Sequence, residues 1–331
     1  MPFVRSACAV LAVLSVVAGL SVARPAVAAP AVVASIAPVQ SLAAALMDGV
    51  GEVRQLVPTG TSPHTYAMKP SDTVALAEAD VIFWVGPGLE SFLPRVLGSV
   101  PRHAIIVELA EVPGVEHLPL RQGGPWGEHH HDDEAQGKAD ESHDHHDHNA
   151  AEGHDEEHGE DQHLWMNPAN ARAWVAAMAD ALAKADPEHA AAYQQRAQRL
   201  DQSLQALDEE LRETLIPVQR LPFLVFHDAY QHMEKRYGLT AVGALTIDPG
   251  QPMGARRLAE LRTHIKETGV RCIFAEPQFS DRLPKVVAEN SPATIAVLDP
   301  LGQAFPAGPQ QYPQTLREAA RSLRDCLLAP H

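Results

Sequence analysis

From Glu128 to Asp161 the chain is almost wholly His, Asp and Glu with scattered small residues: EHHHDDEAQGKADESHDHHDHNAAEGHDEEHGED. Such a run has too little apolar surface to offset the entropy of ordering it. It is read as a disordered insertion, so any fold must be built from the chain on either side. Within a few residues the text becomes QHLWMNPANARAWVAAMADAL, which has the character of ordered protein. His163 stands at this junction and is read with the fold rather than with the tract. The tract holds fourteen Asp or Glu against one lysine, Lys138, which places −13 of the formal charge of −16 there and leaves the remainder near −3. An acidic remainder with no basic stripe argues against nucleic acid and anionic membranes as partners.

The N-terminus has one positive residue, Arg5, ahead of an apolar run from Ala7 to Leu20 and the small-residue pattern Ala26-Val27-Ala28. This is a secretory signal, with cleavage expected after Ala28. The run is short of the roughly 20 residues that a spanning helix needs. Cys8 precedes the apolar run, so a lipid-modified cysteine is not expected there. Cleavage leaves Cys272 and Cys326, and an even pair in an exported protein favours a disulfide over two buried free thiols. Cys272 is expected to open a strand and Cys326 to lie on the last helix. The mature protein is expected to be soluble and monomeric.

Outside the tract, apolar strands alternate with amphipathic helices, the α/β pattern. AVVASI, the segment from Glu52 to Val57, ADVIFWV and HAIIVE read as strands of a first lobe. The nearly continuous apolar ADVIFWV belongs at the centre of a parallel sheet. The loop PTGTSPHTYAMKPSD between them is broken by Pro58, Gly60, Pro63 and Pro70, with Ser71 a candidate N-cap for the following helix. Asn167 or Pro168 starts a helix to about Ala185, and Asp186-Pro187 caps a second of some 29 residues, a rod of roughly 43 Å. Beyond it LPFLVF, LTAVGAL, RCIFAE and ATIAVLD read as strands of a second lobe, with a last helix from about Pro313 to Leu328. The expected organisation is a signal peptide (1–28), an N-terminal α/β lobe (29–185) carrying the insertion (128–161), a connecting helix (186–216) and a C-terminal α/β lobe (217–331).

Ligands of open α/β sheets bind beyond the carboxyl ends of strands. His64 lies in the loop after the second strand and His163 before the first helix past the insertion. His227 ends LPFLVF, Asp299 ends ATIAVL, and Glu276 ends RCIFA as a weaker alternative. Each alone reads more readily as a structural residue. Together, three imidazoles and a carboxylate suit tetrahedral zinc. His103, His117, His189, His232 and His264 read as surface or helix-face residues without an assigned role. Tyr66 and Trp165 could shield the site or simply pack.

The stretches PHTYAMKPSD, QHLWMNP, VFHDAY, FAEPQF and LDPLG, with the acidic His-rich insertion before HLWMNP, carry a resemblance across nearly the whole mature chain. The chain resembles the zinc-binding subfamily of periplasmic metal receptors that serve bacterial ABC importers, in which a cysteine pair placed like Cys272 and Cys326 is also typical. The resemblance implies two α/β lobes joined by a rigid helix, metal in the cleft, and His64, His163 and His227 as ligands. Some members carry Glu just before the first histidine, where this chain has Pro63, so Asp299 or a water is expected to complete the shell, with Asp299 favoured. Manganese-binding relatives usually carry Glu in place of His227, and a third imidazole shifts the preference toward zinc. The implied function is non-enzymatic: zinc capture in the periplasm and delivery to a permease in the inner membrane. Release would follow when the docked permease pulls the lobes or the His64 loop apart.

The nine tract histidines, His129, His130, His131, His143, His145, His146, His148, His154 and His158, are expected to bind further zinc weakly and raise its concentration near the cleft. The competing readings are a metal buffer or storage protein, in which the tract is the function, and a secreted zinc hydrolase. The hydrolase reading lacks HExxH and has only Glu276 as a candidate base. An adhesin has no direct support in the residues.

Overall fold

In the computed structural model, residues 29–101, 103–126, 159–246 and 253–330 are described. The signal segment and the tract histidines from His129 to His158 therefore lie outside the described residues. The first sheet holds β1 (Val32–Ala34), β2 (Val53–Gln55), β3 (Val81–Trp84) and β4 (Ile105–Glu108) in the order β2-β1-β3-β4. The second holds β5 (Pro222–Val225), β6 (Thr240–Ala244), β7 (Cys272–Ala275) and β8 (Thr294–Val297) in the order β6-β5-β7-β8. Every described pairing in both is parallel, and the two lobes repeat one strand permutation. The run around β3 is interior, as its unbroken apolar sequence requires, because strands of a parallel sheet are buried on both faces.

Helices α1 (Ala37–Met47), α2 (Pro70–Ala77), α3 (Pro94–Leu97) and α4 (Pro168–Ala185) accompany the first sheet. Helices α6 (Gln231–Tyr237), α7 (Ala255–Thr268), α8 (Arg282–Ala288) and α9 (Gln311–Leu327) accompany the second. Between the lobes runs α5 (Ala190–Leu215), 26 residues long, or about 39 Å. It is shorter than the sequence suggests because Asp186 turns the corner. The Asp186 carboxylate accepts from the His189 ring at 2.7 Å and from the Tyr193 hydroxyl at 2.8 Å, holding Pro187–His189 as a separate 3₁₀ turn. Helix α2 begins at Pro70 rather than after Ser71. Proline lacks the N–H that a first turn leaves unpaired, and Asp72 accepts from the Lys69 amide at 2.8 Å instead.

Alternation along each strand divides the apolar side chains. Val33, Ile82 and Trp84 face α2 and α3, while Leu224, Phe226 and Ile273 face α7 and α8. The opposite faces of both sheets contribute to one continuous core. It includes Phe83 and Val85, Trp174 and Met178 of α4, Leu207 and Leu211 of α5, Phe223 and Phe274, and Tyr312 and Leu316 of α9. The lobes thus share apolar packing, and sliding one past the other would open that core. Cys272 opens β7 and is bonded to Cys326 near the end of α9, the pairing and the placement expected from the sequence.

Beside β3, Glu90 is wholly buried, and its carboxyl accepts from the Val85 amide at 3.3 Å and the Gly86 amide at 3.0 Å. Burial raises its pKa from 4.5 to about 7, with the backbone bonds pulling the other way. The folded state therefore holds this proton where the unfolded chain has lost it. Its contribution is most favourable below the unfolded value of 4.5 and is lost as pH rises to about 7. Urea unfolding between pH 5 and 8 should show a loss of up to about 3 kcal/mol from this group. Glu90→Gln should flatten that slope, and a slope unchanged by the substitution would refute the assignment.

Candidate metal site

The site forms where the loop after β2, the segment before α4 and the carboxyl ends of β5 and β7 meet. Pro63 starts a 3₁₀ turn, Pro63–Thr65, that carries His64 inward between the buried Ser62 and Tyr66. His163 is held ahead of a second such turn, Leu164–Met166. That turn is pinned by Asn170, whose side-chain amide donates to Leu164 O at 3.2 Å, while Asn167 caps α4 by accepting from the Ala169 amide at 2.9 Å. His227 follows β5 within two residues, and Glu276 follows β7 directly.

The three imidazoles converge on their Nε2 atoms. His163 Nε2 lies 3.2 Å from His64 Nε2 and 3.2 Å from His227 Nε2. Zinc–nitrogen bonds of about 2.0–2.1 Å at tetrahedral angles place ligand nitrogens about 3.3–3.4 Å apart, so this spacing fits one zinc ion. The space between the rings is about 10 Å³, lined also by Trp165, Phe279 and Leu301, which is room for one ion or one water.

Two carboxylates set the tautomers. His163 Nδ1 donates to Asp161 Oδ1 at 2.7 Å, and His227 Nδ1 donates to Glu276 Oε1 at 2.7 Å. With the proton held on Nδ1, each ring turns its Nε2 lone pair toward the centre, the arrangement usual for a metal-bound histidine. Burial, then the neighbouring His163 and His227, hold His64 well below the ordinary histidine range, so it is neutral and ready to coordinate. Burial also opposes charge on His227, but Glu276 together with Asp228 and Asp161 outweighs it and raises that pKa. Burial opposes ionisation of Asp161 as well, and the charge and hydrogen bond of His163 prevail and lower its pKa. Nε2 lone pairs brought to 3.2 Å would repel one another with all three rings unprotonated, and a cation between them turns that repulsion into binding.

The carboxylate favoured from sequence as fourth ligand is placed elsewhere. Asp299 accepts from the Leu301 amide at 3.1 Å, the Gly302 amide at 2.9 Å, the Gln303 amide at 2.6 Å and the Gln278 side chain at 3.1 Å. These bonds occupy its oxygens in closing the loop after β8. Among the described residues, the group whose ligand atoms lie within 4.8 Å of one another is His64, His163 and His227. Glu276 stands behind His227, on the Nδ1 side. Trp165 lines the site and donates from Nε1 to Pro300 O at 2.7 Å, whereas Tyr66 is bonded to Asp72 at 2.7 Å.

Sequence reasoning missed two residues. Asp161, read as the end of the tract, is 1% exposed and orients His163; the Asp-x-His spacing was its available signal. His232, read as a helix-face residue, is fully buried with its Nε2 3.1 Å from Asp161 O. Glu276→Gln should lower zinc affinity by about 10- to 100-fold, since the amide supplies no charge to hold the His227 proton on Nδ1. Competition against a chromogenic chelator would measure this, and unchanged affinity would deny Glu276 the orienting role.

The chain has counterparts among known proteins. Residues 32–326 match the family described as the periplasmic component A of the zinc-uptake complex. The high-affinity zinc uptake system protein ZnuA of Brucella abortus is 41% identical over 304 residues, covering 89% of this chain and 91% of that protein. A crystal structure of a ZnuA deletion mutant with zinc bound superposes with a TM-score of 0.71 at 23% identity, covering 91% of this chain and 98% of that one. The laminin-binding protein Lmb of Streptococcus agalactiae, described as bifunctional with adhesin and metal-transporting activity, gives 0.69 at 23% identity, over 90% of this chain and 99% of that one. At such identities these two structures attest the fold alone. The breadth of the family match and the identity to the Brucella protein establish that the chain belongs to the periplasmic zinc-uptake component A family.

Proposed function

We propose that this protein captures zinc in the periplasm with high affinity and delivers it to an ABC-type permease of the inner membrane. The observation that carries the reading is the convergence of three Nε2 atoms, two of them oriented by carboxylates bonded to Nδ1. His64, His163 and His227 are the proposed ligands, with a water in the fourth position. Three imidazoles with no carboxylate in the shell favour zinc over manganese, whose sites are richer in oxygen. The chain acts as a binding protein. Glu276, the one candidate base of a hydrolase, is engaged with the His227 ring, which disfavours that reading.

Because the lobes share one core, release is assigned to the His64 loop rather than to the lobes parting. Among the described residues His64 alone of the three lacks a carboxylate on its ring, so it is the ligand most readily withdrawn. Binding needs neutral imidazoles, so affinity falls as pH drops through the histidine range. The reading includes cleavage of the signal after Ala28, a monomeric mature protein, lobes at 29–185 and 217–331 joined by 186–216, and auxiliary zinc on the tract histidines. Titration of the chelator-stripped protein with zinc and then manganese, against competing chelators, tests it. One tight zinc site with weak manganese binding is expected. Many weak sites and no tight one would make the protein a metal buffer.

A further inference from the structure

The residues on either side of the tract meet in a short antiparallel ladder. The Leu120 amide donates to Gly159 O at 2.8 Å and the Asp161 amide to Leu118 O at 2.8 Å, with Pro119 opposite Glu160. This stalk crosses from the first lobe onto the second. Gln231 of α6 donates to Pro119 O at 3.2 Å, and His232 of the same helix contacts Asp161 O. Beyond the ladder, Arg257 donates to Gly124 O at 2.6 Å and to Pro125 O. Gly243 of β6 admits the strap closely: a Cβ there would stand 2.8 Å from Pro125 Cβ and 2.9 Å from Pro125 O.

At the centre of the crossing is Arg121. Its Nε donates to Asp228 Oδ2 at 2.9 Å, and its Nη2 reaches the other oxygen of that carboxylate. Nη1 and Nη2 donate to the two oxygens of Glu234, each at 2.8 Å. The Trp126 ring lies 3.4 Å beneath the guanidinium carbon. A planar fork engaged by two carboxylates at once has little freedom, which a lysine ammonium in its place would not match. Asp228 directly follows His227, and the segment bridged to the one before Arg121 runs through Asp161, which orients His163. The fork therefore lies between the two segments whose imidazoles stand 3.2 Å apart.

We propose that Arg121 is a positioning residue of the zinc site, which sets the spacing of His163 and His227 by tying the stalk to Asp228 and Glu234. It touches no metal and acts through the segments that it joins. This rests on the zinc-receptor reading above. The stalk is thus part of the site's frame, not a mere attachment for the insertion.

The test uses the full mature chain. The variants are Arg121→Gln, the double variant Arg121→Gln with Glu234→Gln, which leaves no added net charge in the cluster, and Arg121→Lys. Zinc affinity is measured by chelator competition, ligand geometry by the visible absorption of the first equivalent of cobalt(II), and fold by the thermal midpoint without metal. All three variants are expected to bind zinc about 10-fold more weakly and to shift the cobalt bands, the lysine variant included, because charge without the fork does not restore the spacing. Unchanged affinity with superimposable cobalt bands, whatever the midpoint does, would overturn the proposal and leave Arg121 an ion pair of the fold alone. Full recovery in the lysine variant would also overturn it, since charge and not the fork would then be what counts. A parent protein that takes no zinc from the chelator would instead sink the receptor reading, and this proposal with it.

Discussion

Replacing His163 by alanine is expected to lower zinc affinity by more than about 100-fold, beyond the range typical for losing an outer-shell partner. Its Nε2 lies 3.2 Å from each of the other two ligand nitrogens, so its removal takes away the atom that joins them into a single site. His64→Ala should cost a similar factor by removing another ligand, yet the two variants should differ in stability. Asp161 is 1% exposed, and His163→Ala takes from its carboxylate the ring donor at 2.7 Å while leaving the backbone N–H of residue 163 at 3.0 Å. Losing one such hydrogen bond to a buried carboxylate costs about 1.5–3 kcal/mol. Among the described residues no carboxylate is bonded to the His64 ring, so His64→Ala should leave the metal-free protein as stable as the parent. Chelator competition and urea unfolding of the stripped proteins measure the two effects separately. Zinc binding of parental strength in either variant would remove that histidine from the ligand set.

The second large effect is expected from the disulfide. Exchanging both Cys272 and Cys326 for serine frees a closure of 54 residues, which chain entropy values at about 4 kcal/mol, less whatever structure the unfolded chain retains. The loss should appear in urea unfolding as a lower midpoint with little change in slope. Zinc affinity should hold, because the bridge sits at the first residue of β7 whereas Glu276 follows the opposite end of that strand. A loss under about 1 kcal/mol would mean that the shared core alone fastens α9 to the second sheet. Weaker zinc binding would mean that strain at one end of β7 reaches Glu276 at the other.

Local signals made much of the molecule legible in advance. Apolar runs marked the strands, Asn167-Pro168 marked the start of α4, and an even pair of cysteines in an exported chain marked the bridge. The three histidines were legible as candidates because each adjoins a strand end or a helix start, where open α/β sheets place their ligands. These signals act over a few residues, and a sequence displays them directly. Where the signals were weaker, boundaries moved: Asp186 cut the long helix short, and Pro70 took the place expected for the residues after Ser71.

The carboxylates were decided by tertiary structure. Asp299, Glu276 and Asp161 are all acidic residues beside candidate ligands, and nothing local distinguishes them. Packing assigned Glu276 to His227, 49 residues away in sequence, and spent Asp299 on the amides of its own loop. It also brought Arg121 to Glu234 across 113 residues and set His64 against His163 across 99. By itself the sequence determined the architecture, the disulfide pair and which imidazoles could serve, since periodicity, capping and residue type are short-range properties. Which carboxylate turns which ring, and what holds the ligand-bearing segments in register, only the folded chain decided, because hydrogen-bond direction depends on the relative placement of segments that no local rule connects.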